Sequence, residues 1–122
     1  MPFIASDPKS YLGKVVGNGH CVAYVKAAAG APETSKWKRG KLVKGADIAK
    51  GTAIATFNAT GAYTNATDGS SHAAIYDSQD AAAIHVYDQW TGRAVAPRPI
   101  AFKAGATTPN NDGDTYYVIE PV

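Results

Sequence analysis

The order of the secondary-structure signals constrains this chain more than any other feature of its sequence. One helical segment comes early: Asn18 is its predicted N-cap, apolar residues recur at a spacing of three to four, and Gly30 ends it. Only strand signals follow, in β-branched and aromatic runs at Ala53–Asn58, Ser71–Asp77, Ala83–Gln89, Pro99–Lys103 and Thr115–Glu120. A helix followed by such strands predicts an α+β fold in which the helix packs on an antiparallel sheet.

Length and composition exclude several classes of protein. A chain of 122 residues predicts a single domain over 1–122, because two domains would each be unusually small. Its one cysteine excludes an intramolecular disulfide and a zinc site built on several thiolates. The net charge of +2 is too small to indicate nucleic-acid binding, and no apolar run approaches the roughly 20 residues of a membrane helix.

The first residues carry no export signal that can be recognised. The segment after Met1 has neither a basic region nor a long apolar stretch, so we expect no secretory signal peptide and synthesis in the cytoplasm. Action in the periplasm or cell wall would then require a specialised secretion system. Six of the twelve basic residues fall between positions 36 and 50, which predicts a solvated connection or, as the alternative, a contact surface for an anionic polymer.

The stretch most informative about function surrounds Cys21, which follows Gly-Asn-Gly-His at the start of the predicted helix. The unpaired N–H groups and the dipole of a first helical turn favour an anion. With a cationic partner, such placement lowers a thiol pKa from about 8.5 to roughly 3.5–7.5. Cys21 is therefore a candidate nucleophile, and a small buried hydrophobic residue is an equal alternative on this stretch alone.

A nucleophilic thiol needs a base, and the chain has three histidines, His20, His72 and His85. His20 adjoins Cys21, so on a helix its side chain would point about 100° away from the thiol. His72 opens an apolar strand just after a turn-rich segment, where it can reach a helix N-terminus and remain open to substrate. His72 is therefore the candidate base, and a half-exposed histidine at a strand end is the alternative.

Strand register suggests a third member of the site. A hairpin loop of three residues after Ser78 would place His72 directly opposite Asp88. An aspartate on an otherwise apolar face requires a partner, and a histidine N–H supplies one. A slip of one residue would present His85 or Tyr87 instead, and a solvated strand-end residue is the alternative for Asp88.

Four segments match, in order, the motifs of one enzyme superfamily. Cys21-Val-Ala-Tyr-Val resembles the Cys-x-x-Tyr-Val of CHAP domains (cysteine- and histidine-dependent amidohydrolases/peptidases), which with the NlpC/P60 proteins belong to the papain-like superfamily. Gly51-Thr-Ala-Ile-Ala-Thr-Phe and Ser71-His-Ala-Ala-Ile-Tyr resemble two of its strands, although Ser71 replaces the usual glycine. Ile84-His-Val-Tyr-Asp-Gln-Trp resembles the strand ending in the third catalytic residue. The whole chain also resembles small bacterial members that include the peptidoglycan amidase effectors of type VI secretion.

This resemblance implies a papain-like, NlpC/P60-type core with the cysteine on its N-terminal helix. It implies that Cys21 is the nucleophile, His72 the base and Asp88 the group that orients the base. His20 stands where many members have the glutamine that helps to hold the oxyanion. The residues expected around the oxyanion or the substrate are His20, Asn18 and Gln89. No metal and no cofactor are implied.

The resemblance also implies a substrate and a setting. It predicts a cysteine amidase that hydrolyses amide bonds of bacterial peptidoglycan stem peptides, as an antibacterial effector or toxin. The expected partners are peptidoglycan and an immunity protein, with no nucleic acid and no membrane, and the protein is expected to be a monomer. The alternative is a catalytically idle module that keeps the fold and serves only in binding.

Overall fold

The computed structural model describes residues 2–66 and 68–122, and in them a single α-helix is followed by six strands. All paired strands are antiparallel, and the sheet order is β1-β6-β2-β3-β4-β5. This arrangement confirms the predicted α+β fold. The elements are α1 (Cys21–Ala29), β1 (Trp37–Leu42), β2 (Ala53–Thr56), β3 (Ala73–Gln79), β4 (Ala83–Trp90), β5 (Arg93–Ala101) and β6 (Tyr116–Pro121).

The ends of α1 follow from local backbone chemistry. Gly30 ends the helix in the left-handed conformation with φ of 69°, and its N–H donates to the carbonyl of Lys26 at 3.0 Å. The predicted N-cap is wrong, because the N-cap residue is His20 and not Asn18. The Asn18 side-chain oxygen instead accepts from the N–H of His20 at 3.0 Å, which forms a tight turn just before the helix.

Two parts of the sheet differ from the prediction. Residues 37–42, expected within a solvated connection, form the edge strand β1, which pairs with β6 and buries Trp37. Its two lysines and one arginine hid the strand signal, although charged residues are common on edge strands. β5 begins at Arg93, well before the predicted Pro99, since a strand at the opposite edge tolerates prolines whose missing N–H needs no partner.

The hairpin of β3 and β4 has another register than predicted. Gln79 pairs with Ile84 at its closed end, and a register shift follows between Tyr76 and Ser78. The predicted position of the loop directly after Ser78 and the direct opposition of His72 and Asp88 are therefore wrong, because β3 continues to Gln79 and residues 80–82 connect the strands. The shift restores the parity of the pairing, so His72 and Asp88 still share one face of the sheet.

The sheet is covered on both faces, because alternate side chains of β3 belong to two different buried clusters. Ala73 and Ile75 pack with Tyr24 of α1 in one buried cluster, whereas Ala74 and Tyr76 belong to a second cluster on the other face. A fully buried large apolar side chain stabilises a fold by roughly 1.5–3 kcal/mol. None of the helices within residues 2–66 and 68–122 has the length and hydropathy to cross a bilayer.

Candidate active site

An open cleft of about 440 Å³ lies beside the N-terminus of α1. Its walls include His20 and Cys21 from the start of the helix and His72 from the residue before β3. Trp90, Arg98 and Asn111 form part of the opposite side. The cleft therefore gives a substrate access to both the thiol and the imidazole.

The loop before Cys21 is fixed by two glycines and by a distant glutamine. Gly17 and Gly19 have φ of 56° and 86°, a region that favours glycine, so the backbone can turn sharply just before the helix. The Gln89 amide accepts from the N–H of Val16 at 2.9 Å and donates to the carbonyls of Val16 and His20 at 2.9 and 2.8 Å. These bonds fix the loop that leads into α1 and thereby position Cys21, the first residue of the helix.

This placement corrects the prediction for Gln89. The side chain is 0% exposed, and both ends of its amide are used on the backbone of residues 16–20. Its amide is therefore not available to bind a substrate. The physical reason is strand alternation, which turns Gln89 toward the helix while its neighbour Asp88 faces the other way.

His72 lies between Cys21 and Asp88. Its Nε2 is 2.7 Å from Asp88 Oδ2. The exposed fraction is 5% for His72 and 0% for Asp88. The Cys21 thiol lines the same cleft as His72, and each of the two groups shifts the pKa of the other. The expected contact between His72 and Asp88 is thus present. The two residues are diagonal neighbours on one face of the sheet and do not lie directly opposite each other.

The electrostatics of this series favour a charged pair. Burial raises the pKa of the Cys21 thiol, but the hydrogen bond and the charge of His72 outweigh it and bring the pKa below its ordinary value of 9.0. Burial likewise lowers the pKa of His72, whereas hydrogen bonds to Asp88 and Cys21 raise it to about 9. The interaction between the two groups therefore stabilises the thiolate of Cys21 and the imidazolium of His72 relative to their neutral forms.

Three further side chains of the site were missed by the sequence analysis. Tyr63 lies in the segment between β2 and β3, and its hydroxyl is 3.7 Å from Cys21 Sγ. Arg93 and Arg98 on β5 both bind the Asp88 carboxylate at 2.9 Å. A signal for the arginines existed, since Arg93 pairs with Trp90 and Arg98 pairs with Val86, the residues two after and two before Asp88 in β4, but it required β5 to begin at Arg93.

The remaining candidates lie outside this hydrogen-bonded series. His85 pairs with Asp80 at 2.8 Å at the closed end of the hairpin, so the alternative in which His85 occupies the site is wrong. His20 is exposed and lines the cleft, whereas Asn18 lines a smaller adjacent cavity. Among the residues that the structure describes, no three His, Cys, Asp or Glu side chains are grouped so that they could hold a metal ion.

Comparisons with known proteins extend over nearly the whole chain. A family model described as Domesticated amidase effector 2 (Dae2) matches residues 2–119. A curated relative, Domesticated amidase effector 2 from Ixodes scapularis, is 41% identical over an alignment of 123 positions. The alignment covers 94% of this chain and 82% of the relative. Among solved structures, Type 6 secretion amidase effector 2 (Tae2) aligns with a TM-score of 0.85 at 29% identity, covering 100% of this chain and 96% of that one.

Proposed function

This chain belongs to the Domesticated amidase effector 2 family, and on that premise we propose that it hydrolyses amide bonds of peptidoglycan stem peptides. One observation carries the proposal: Cys21 and His72 line the same open cleft, and His72 is hydrogen-bonded to the buried Asp88 carboxylate. Nucleophile, base and orienting group in that order are the arrangement needed for acyl transfer to a thiol.

The first half of the reaction forms a thioester. The Cys21 thiolate attacks the carbonyl carbon, and the carbonyl oxygen becomes an oxyanion. We assign the stabilising donors to the backbone N–H of Cys21, in the first turn of α1, and to the Tyr63 hydroxyl. Burial raises the pKa of Tyr63, as does the neighbouring Cys21, so its hydroxyl stays protonated and can donate.

The second half releases the product. His72 donates its proton to the leaving amine as the C–N bond breaks, which leaves a neutral imidazole and the acyl-thioester. The imidazole then takes a proton from water, the resulting hydroxide attacks the thioester, and the C–S bond breaks to give the thiolate and a carboxylic acid, which releases its proton to solvent. Asp88 holds Nε2 throughout, which fixes the ring and stabilises its protonated form.

The lining of the cleft supports a peptide substrate that carries negative charge. Asn65, Asn110 and Asn111 offer amide groups to a peptide backbone, and Arg98 adds a cation. Peptidoglycan stem peptides contain free carboxylates that suit such a cleft. The exposed lysines of residues 36–50 would suit an anionic wall polymer in the same way.

The proposed setting follows from the family. We propose that the protein acts as a single-domain monomer on the cell wall, where it arrives through a specialised secretion system. An immunity protein would inhibit it by filling the cleft beside Cys21 and His72. The chain would then be an antibacterial toxin of the type VI effector kind.

Mass spectrometry of muropeptides tests this function. Purified sacculi are digested with the wild type and with Cys21→Ala, which lacks the nucleophile, and new amine and carboxyl termini are identified. We expect release by the wild type only. Retained hydrolysis by Cys21→Ala, with the fold verified by circular dichroism, would overturn the enzymatic proposal.

The same experiment separates the amidase from an idle binding module. An idle module leaves muropeptides intact in both samples, and its thiol reacts slowly with iodoacetamide near neutral pH. An active Cys21–His72 pair reacts fast under those conditions, because the thiolate is already formed.

A further inference from the structure

The buried Asp88 carboxylate has two arginine partners that bind it differently. Arg93 Nη1 lies 2.9 Å from Oδ1, the oxygen that does not contact His72. The same guanidinium donates to three main-chain oxygens, those of Asp88 at 2.9 Å and of Ala96 and Pro97 at 3.4 Å. Arg93 therefore stabilises the turn between β4 and β5 and also binds the carboxylate.

Arg98 binds the oxygen on which His72 depends. Its Nε and Nη2 both lie 2.9 Å from Asp88 Oδ2, and His72 Nε2 lies 2.7 Å from that same atom. One carboxylate oxygen is thus shared by a guanidinium and an imidazole. Because both donors draw on the same negative charge, the strength of one contact depends on the other.

Arg98 also reaches the wall of the cleft. Its Nη1 donates to the side-chain oxygen of Asn111 at 3.3 Å, and its guanidinium carbon lies 5.1 Å from the centre of the Trp90 ring. The Trp90 ring in turn meets the His72 ring edge-on at 6.3 Å. Arg98 therefore connects the substrate-facing surface to the carboxylate that orients the base.

We propose that Arg98 is a positioning residue that acts through Asp88: by sharing Oδ2 with His72 it fixes the carboxylate and limits how strongly the carboxylate holds the imidazolium. The inference rests on the proposed function, because it takes His72 as the base of Cys21. It assigns to Arg98 a role that no simple Cys-His-Asp series contains. A guanidinium suits this role because it presents two N–H donors to one oxygen in a fixed geometry, which an ammonium cannot do.

The expected effect follows from all the groups that face His72. These are Cys21 on α1, Asp88 and Trp90 on β4, Arg98 on β5 and Tyr116 on β6, whose ring meets His72 at 6.5 Å. Removal of the guanidinium leaves Oδ2 to His72 alone, so the imidazolium is stabilised and the pKa of His72 rises. The Cys21 thiolate loses a cation of the same cleft, so the thiol pKa also rises. Each change should be about one unit.

Titrations of Cys21 and His72 test the proposal without a substrate. The rate of alkylation by iodoacetamide is measured against pH for the thiol, and NMR follows the His72 imidazole over the same range, with His72→Ala to identify its signal. The variants are Arg98→Gln and Arg98→Lys. Arg39→Gln is the matched control, because Arg39 is an exposed arginine on β1, at the far edge of the sheet.

In Arg98→Gln we expect both midpoints to move up by about one unit, with wild-type midpoints in Arg39→Gln. Arg98→Lys keeps the charge, so its midpoints should stay near the wild type while kcat falls by roughly tenfold to a hundredfold. Midpoints of Arg98→Gln that coincide with the wild type would overturn the proposal. If that variant does not fold, a wild-type kcat in Arg98→Lys would overturn it equally. Slow alkylation of the wild type itself would contradict the proposed function and not the sharing of Oδ2.

Discussion

Asp88 and Gln89 are adjacent in β4, and both are completely buried, yet they serve the two halves of the site from opposite faces of the sheet. On the helix side, the neutral amide of Gln89 holds the backbone of residues 16–20 in front of Cys21. On the other side, the charged carboxylate of Asp88 holds His72 and two arginines. A single strand end thereby fixes the nucleophile relative to its base.

Asp88 and Gln89 should respond differently to substitution. Gln89 makes hydrogen bonds that any correctly placed amide could make, and its role is complete once the loop is folded. Asp88 supplies a charge to groups that change protonation during the reaction. Loss of Gln89 should therefore affect stability first, and loss of Asp88 should affect turnover first.

The largest effect is expected for Asp88→Asn. An amide can still hold the His72 ring, but it supplies no charge to the imidazolium, so kcat should fall on the order of a thousandfold. The two arginines also lose their anion, so the melting temperature should fall as well. Steady-state hydrolysis of muropeptides and a thermal melt check both expectations. A kcat within a few-fold of the wild type would remove Asp88 from the mechanism.

Tyr63→Phe tests the helix side of the site without disturbing the loop. The change removes the hydroxyl near Cys21 Sγ and keeps the ring, which packs at 4.8 Å from that of Trp37. If that hydroxyl stabilises the oxyanion, kcat should fall by roughly a hundredfold with little change in KM. His20→Ala is the comparison variant, and a larger loss there would return the oxyanion role to His20.

Gln89→Leu should be mainly a stability variant. The change leaves three partly buried backbone groups of residues 16–20 without their hydrogen-bond partner. Each such group lowers the free energy of unfolding by about 1–3 kcal/mol. We expect a lower midpoint of urea denaturation and a kcat reduced by roughly tenfold, through a looser position of Cys21. The pH profile should keep its wild-type midpoints, and a shift comparable to that of an Asp88 variant would contradict the distinction between the two faces.

The smallest effect concerns the pH dependence of stability. The pKa of His72 is raised from 6.5 to about 9 in the folded protein, so the unfolded chain releases the proton first as pH rises. The stabilising contribution is therefore complete below 6.5 and is lost as pH rises toward 9. Urea denaturation across that range should show a falling free energy of unfolding in the wild type and a flatter dependence in His72→Gln. Equal slopes would indicate that His72 carries no such charge.

Much of the candidate site was accessible from the sequence because its signals are local. Gly17, Gly19 and Gly30 mark the turn before the helix and its end, and both features depend on backbone conformations within a few residues. They place Cys21 in the first turn of the helix, although the exact first residue was not predicted. The parity of β4 likewise separates Asp88 from Gln89, whatever the partner strand.

Other features depended on pairing between distant segments. The register shift between Tyr76 and Ser78 offset an incorrect loop, so the predicted shared face of His72 and Asp88 survived for a different reason. Gln89 was assigned to substrate because its partners, the backbone groups of Val16 and His20, are far away in sequence. Tyr63 stood in a segment without any element signal.

The α+β class, the position of Cys21 in the first turn of the helix, and the face on which Asp88 lies follow from the sequence alone, because turns, helix ends and strand alternation are set by neighbouring residues. Only the tertiary structure decided that β5 brings Arg93 and Arg98 to Asp88, and that Gln89 holds the loop in front of the thiol. Those contacts join residues through the pairing of strands and the docking of a loop. Their partners are fixed only when the sheet has assembled and the buried carboxylate and amide must each find donors or acceptors.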